Sequence, residues 1–99
     1  MKRYRLLAEA AVEFDVESAF QWYETEEPDL GFEFLKQLRG CYERLLRNPH
    51  GYQELRSGIR RALTKRFPYA VYFSIEDDFV VVLAVLHTAR DPAEWQHRI

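Results

Sequence analysis

Phe79-Val80-Val81-Val82-Leu83-Ala84-Val85-Leu86 runs without a polar side chain and leads directly into His87-Thr88-Ala89-Arg90-Asp91-Pro92. The run is far shorter than the roughly 18 apolar residues of a membrane span. It suits a buried strand, central in its sheet because so little of it is polar. Asp91-Pro92 then opens a short terminal helix, with Asp as N-cap and Pro at the first helical position. Trp95 is expected to lie on the sheet.

Working upstream, Glu76-Asp77-Asp78 reads as a tight turn. Residues 70–76 alternate, with Tyr72, Ser74 and Glu76 opposite Val71, Phe73 and Ile75. Phe67-Pro68-Tyr69 separates this strand from another over residues 59–67. There Arg60, Ala62, Thr64 and Arg66 share one face, and Arg61, Leu63, Lys65 and Phe67 share the other.

Further upstream the period changes. Over residues 30–47, Phe34, Leu38, Cys41 and Leu45 form a helical stripe that Leu35, Tyr42 and Leu46 widen. Asn48-Pro49-His50-Gly51 stops it. Residues 9–26 make an earlier helix, with Val12, Val16, Ala19, Phe20 and Tyr23 at helical spacing. Pro28 ends that helix, and Asp29-Leu30-Gly31 makes the bend, with Asp29 as N-cap of the next helix. So short a connection implies an antiparallel αα-hairpin. Residues 3–8 alternate loosely and read as a first strand. The sum is an α+β fold in the order β-α-α-β-β-β-α: an antiparallel-rich sheet with the helices on one face.

Ninety-nine residues make one domain, 1–99. A chain of this size buries roughly 60–65% of its unfolded surface, and 47% hydrophobic residues supply a core. Cys41 is the single cysteine, on the apolar face of its helix. That excludes an internal disulfide or a cysteine-based zinc site, and a buried structural thiol is expected. His50, His87 and His97 are too dispersed for a metal site, the four glycines form no phosphate loop, and no serine lies in a nucleophile elbow. No metal or cofactor is expected. Without a membrane span or an apolar leader, the expected location is the cytoplasm.

Net charge is only −2, but nine acids and no Lys or Arg lie between Glu9 and Glu33, and five bases and no acid lie between Arg56 and Arg66. This layout suits a basic partner on one side and an acidic one on the other; it suits equally a solvated helix and a decorated strand. Arg60, Arg61, Lys65, Arg66 and Arg90 are candidate target-binding residues, since guanidinium groups offer planar paired donors to phosphates. His87 stands three residues before Arg90, as a candidate general acid or base or as a strand-end side chain bonded to a loop. Arg90 also stands beside Asp91, where a local ion pair would steady the cap of the last helix.

Trp22-Tyr23, Pro28-Asp29-Leu30-Gly31, Asn48-Pro49, Arg60-Arg61-Ala62-Leu63, Arg66-Phe67-Pro68-Tyr69-Ala70-Val71-Tyr72 and Val85-Leu86-His87-Thr88-Ala89-Arg90-Asp91-Pro92 with Trp95 together resemble the RelE/ParE superfamily of plasmid-stabilisation toxins. The likeness spans nearly the whole chain and is most specific from Arg60 to Trp95. It implies the toxin of a type II toxin–antitoxin module, held inactive by a cognate antitoxin and not itself a sequence-specific DNA binder. RelE-type members cleave mRNA on the ribosome, whereas ParE-type members poison DNA gyrase. The resemblance makes Arg61, Arg90 and His87 the catalytic candidates if the chain is a nuclease. However, the middle-strand arginine of those nucleases is Ala70 here, and Trp95 and Gln96 stand where they often carry a tyrosine. A mildly acidic chain also suits ribosomal RNA poorly. These departures favour the ParE-like, gyrase-directed reading over an mRNA endonuclease or a non-toxic relic that only binds antitoxin. Trp22 and Tyr23 are the candidate antitoxin anchors, Trp22 because it falls off its helix's core stripe. Exposed parts of the hairpin and a sheet edge that accepts an added strand are the expected antitoxin surface.

Overall fold

A computed structural model describes residues 2–99. Strand β1 (Arg5–Ala8) leads into helices α1 (Ala10–Glu26) and α2 (Leu30–Arg47). A short 3₁₀ turn follows at Pro49–Gly51, then β2 (Glu54–Arg56), β3 (Ile59–Leu63), β4 (Tyr69–Glu76), β5 (Phe79–His87) and α3 (Pro92–Arg98). This is the expected α+β order with one added strand, β2. That strand has three residues and an irregular register against β3, so it carries no alternation to read.

The hairpin follows the helical stripes. Phe34, Leu38, Cys41 and Leu45 of α2 are all buried, and Val12 and Ala19 of α1 meet them. Asp29 occupies the N-cap position of α2 in a left-handed conformation (φ 72°), and its side chain makes no capping bond. The cap comes from α1 instead. The Glu24 carboxylate accepts the Asp29 N–H (3.2 Å) and the Gly31 N–H (2.8 Å), which also places an acid at the positive end of the α2 dipole. The helices approach so closely at this corner that a Cβ on Gly31 would lie 2.7 Å from the Phe20 carbonyl oxygen.

The five strands lie in the order β1-β5-β4-β3-β2. β1 runs parallel to β5, and every other pair is antiparallel. β4 is therefore the central strand. The all-apolar β5 is interior beside it, with β1 covering only its first half. The strand expected over residues 59–67 ends at Leu63. Thr64 donates its hydroxyl to the Phe67 carbonyl (2.6 Å), and Arg66 adopts φ 70°, a local hydrogen-bonded turn that displaces the ladder.

The two faces of the sheet are covered unequally. Val71, Phe73, Val80, Val82 and Val85 pack beneath α1 and α2. Ile59, Ala70, Tyr72, Ala84 and Leu86 face the other way, against Trp95 of α3. The helices therefore do not all share one face, because α3 crosses to the opposite side and stacks Trp95 on Tyr72 (centroids 5.3 Å, 19° between planes). β5 serves both cores through a bulge. Phe73 pairs with Val82 and Tyr72 with Ala84, leaving Leu83 as the extra residue. Even-numbered residues face the hairpin before it, and odd-numbered ones after it.

Burial pushes the Tyr42 hydroxyl up to about 12 from its ordinary 10.0, with Cys41 and Asp15 reinforcing the shift. A folded-state value above the unfolded one stabilises fully below pH 10 and is lost as pH rises towards 12. Burial also raises Tyr23 and Tyr69, which adds to the same trend. The unfolding midpoint should fall on titration above pH 10, and Tyr42→Phe should flatten that fall; equal slopes for the two proteins would exclude Tyr42 as a contributor.

Candidate functional site

β1 stops at Ala8, opposite Val82, so residues 83–87 of β5 have no neighbouring strand on that side. The Val85 N–H points into the open space and donates to the Asp15 carboxylate of α1 (2.9 Å). Strand alternation directs the Val85 carbonyl and the His87 N–H the same way, and neither has a backbone partner. A cleft of about 550 Å³ follows this edge. Phe14, Asp15, Ser18, Ala19 and Trp22 form its α1 wall, and Tyr69, Val85, His87 and Arg90 line the rest. Phe14 is 76% exposed and Trp22 61%. Phe14, Ser18 and Trp22 recur every four residues, one above the other on the helix, beside the core stripe.

Asp15 holds the floor of the cleft together. Its two oxygens accept from Arg98 at 2.5 and 2.7 Å, a forked pair that is mostly buried. The Asp15 hydrogen bonds raise the Arg98 guanidinium above its ordinary value, against the opposing effect of its burial. One carboxylate thus joins α1, β5 and the end of α3.

Of the expected target-binding residues, the fold gathers Arg61 and Arg90 with His87. Arg61 pairs with Tyr72 across the sheet, on the α3 face, and a narrow cleft there is lined by Arg61, Tyr72, His87, Arg90 and Trp95. Arg60 points to the opposite face. It donates to the carbonyls of His50 and Tyr52 and pairs with Glu54, which anchors the chain ahead of β2. Lys65 and Arg66 sit in the β3–β4 turn, which Thr88 ties to the same sheet end through its bond to Pro68. Arg66 turns away to Glu33 of α2 (3.3 Å). The five bases therefore do not form one surface.

His87 stands at the corner between the two clefts. Its Nδ1 accepts the Ala89 N–H (3.0 Å), and its ring meets Tyr69 edge-on (5.2 Å). Arg90 pairs with Glu94 (2.9 Å) and not with the adjacent Asp91, whose carboxylate instead accepts the Ala93 N–H as the helix cap. Burial raises the Tyr69 hydroxyl, and Arg90 opposes that shift. Among the described residues, no His, Cys, Asp and Glu group is arranged to hold a metal ion, and no helix is long and apolar enough to cross a membrane.

Trp22 is exposed as expected of an anchor. Its neighbour Tyr23 is half-buried and stacks on Phe34 (5.6 Å), with Phe67 and Tyr69 edge-on, so most of its ring belongs to the core. Phe14 and Tyr69 were missed from the sequence. Phe14 lies off the core stripe just as Trp22 does, two turns earlier, and that signal was available. Tyr69 reads only as part of an interruption between strands.

The family model for the ParE toxin of the type II toxin–antitoxin system parDE matches residues 6–92. The chain belongs to the ParE toxin family. Among solved structures, a chain of the chromosomal ParDE toxin–antitoxin system from P. aeruginosa is similar, with a TM-score of 0.76 at 12% identity. The alignment covers 86% of this toxin and 96% of that chain. At such identity the likeness is one of fold. Comparison with curated proteins yields no match. The ParE match takes in the open edge of β5, Trp22, Arg61, His87 and Arg90, and stops where α3 begins.

Proposed function

We propose that this ParE-family chain is a growth-arresting toxin, neutralised by a cognate antitoxin, that acts on DNA gyrase by protein contact and does not cleave RNA. The observation that carries the reading is the chemistry beside Arg61 and Arg90. In-line cleavage of a phosphodiester needs a positioned base and acid with free phosphate ligands. Here the middle-strand position is Ala70, wholly buried, and the indole of Trp95 is buried on Tyr72. Arg90 is engaged with Glu94, and one ring nitrogen of His87 already accepts from the backbone. The closeness of Arg61, His87 and Arg90 favours the second reading, a ribosome-dependent mRNA endonuclease.

Purified toxin is expected to inhibit gyrase supercoiling and to trap gyrase-cleaved DNA, and mRNA ends mapped on ribosomes should show no new cuts. Untouched supercoiling together with new mRNA cuts would reverse the assignment. In that event Arg61→Ala and Arg90→Ala should each abolish cutting. Under the gyrase reading, the same variants test whether these bases contact the target.

A further inference from the structure

We infer that the outer face of the α1–α2 hairpin is self-complementary and pairs with a second copy of this chain, forming a two-fold bundle of four helices. Glu13, Glu17, Phe20 and Glu24 recur at steps of three or four residues, so they share one row along α1. That row lies beside α2, because Phe20 meets Phe32 and Glu24 caps α2. Phe32, Lys36, Arg39 and Glu43 form the matching row on α2 with the same steps. Glu43, its one acid, stands between Arg39 and Arg47, four residues from each. Glu13, Glu17, Lys36 and Arg39 are all exposed, and among the described residues none of them makes an ion pair. Glu17 accepts only from Gln21 (3.0 Å). The hairpin therefore presents an acidic lip and a basic lip, side by side and unneutralised.

The two lips are also level with one another. Tyr23 stacks on Phe34 (5.6 Å), and Asp15 lies near enough to Tyr42 to help raise its hydroxyl. The helices thus run in opposite directions, and Glu17 stands at the height of Arg39 and Gly40. A two-fold axis parallel to the helices, placed between the lips, carries α1 of one copy over α2 of the other at unchanged height. Glu17 then meets the second copy's Arg39, and the contact occurs twice. An axis across the helices would instead set α1 on α1, acid against acid, which the charges oppose.

Apolar surface marks the same axis. Phe32 is 59% exposed, and Phe20 meets it edge-on across the groove (4.9 Å, 81° between planes). The two-fold brings the second copy's Phe20 and Phe32 onto this pair, so that aromatic rings fill the centre and charges form the rim. Phe14, Ser18 and Trp22 lie on another side of α1, and Arg61, His87 and Arg90 lie at the sheet. Pairing through the hairpin leaves both clefts open.

Sedimentation equilibrium of the full chain tests this. The wild-type protein should show a monomer–dimer equilibrium that weakens as salt rises. Glu13→Lys with Glu17→Lys makes both lips basic, and Lys36→Glu with Arg39→Glu makes both acidic. Each double variant should weaken its own dimer about 30-fold or more. A mixture of the two restores opposite charges at both contacts and should form a heterodimer with near wild-type affinity. Glu26→Lys with Glu76→Lys makes the same change in net charge away from this face. It should dimerise like the wild type and should pair with the acidic variant no better than the wild type does.

A wild-type chain that stays monomeric at roughly 100 μM in low salt would overturn the proposal. So would a mixture of the two double variants that stays as monomeric as its components. Undiminished dimers in both double variants would place the contact between copies elsewhere on the fold. A monomeric wild type whose complex with the protein of the adjacent reading frame is weakened by Phe32→Glu would give this face to that protein instead.

Discussion

Replacing Asp15 with alanine is expected to cost about 3 kcal/mol, since removing one partner of a mostly buried ion pair leaves the other charge without compensation. For a domain of this size that lowers the unfolding midpoint by roughly 12–24 °C. Two losses combine. Arg98 loses both oxygens of its forked partner, and the Val85 N–H loses its acceptor at the edge of the sheet. Arg98→Ala should cost less, because Asp15 would keep the Val85 N–H and gain access to water. Thermal and urea unfolding of the two variants would check this order. A loss for Asp15→Ala of less than about 1 kcal/mol, the range of an ordinary exposed pair, would remove the residue from its role as the tie between α1, β5 and α3.

Phe34→Ala should be comparably severe, at about 3–5 kcal/mol. Phe34 has no exposed surface, and its ring meets Tyr23, Phe67 and Tyr69 at 5.6, 5.7 and 4.9 Å. It therefore holds together α1, α2, the β3–β4 turn and β4. The cavity left by alanine would sit where none of these elements can close on it alone. Near-ultraviolet circular dichroism should report loosening around Tyr23 and Tyr69 together with the lowered midpoint. A dichroism spectrum and midpoint like those of the native protein would mean that the cluster repacks around the smaller side chain.

The hairpin was legible because α2 repeats its apolar residues at helical spacing over four turns, and burial follows that stripe residue by residue. The last helix was legible from Asp91-Pro92, whose carboxylate does accept the Ala93 N–H (2.9 Å). The all-apolar stretch at 79–86 announced burial on both faces, but it could not say which strand lay at the centre. Uniform apolar composition also concealed the Leu83 bulge. The extent of β3 was misread because Thr64 and Arg66 continue an alternating pattern while their backbone turns away.

The candidate site was less legible, for reasons of distance and chain length. Arg61, His87 and Arg90 were picked by residue type, and the sheet does bring them together. The five bases did not converge, since adjacent residues such as Arg60 and Arg61 must take opposite faces of a strand. The cleft itself arises because β1 has only four residues, which is a fact about pairing and not about composition. Asp15 and Arg98 lie 83 positions apart, and nothing in either neighbourhood marks them as partners.

Leu83 carries a consequence for how this strand tolerates change. Deleting that one residue would restore strict two-residue alternation along β5 and leave every later position on the face it now occupies. Val82 and Val85 would still face the hairpin, and Ala84 and Leu86 would still face Trp95. Leu83 is thus the position where β5 can lose a residue at no cost to its faces, whereas a one-residue change elsewhere in the strand, with the bulge kept, would reassign the chemistry of both surfaces while leaving every side chain the same.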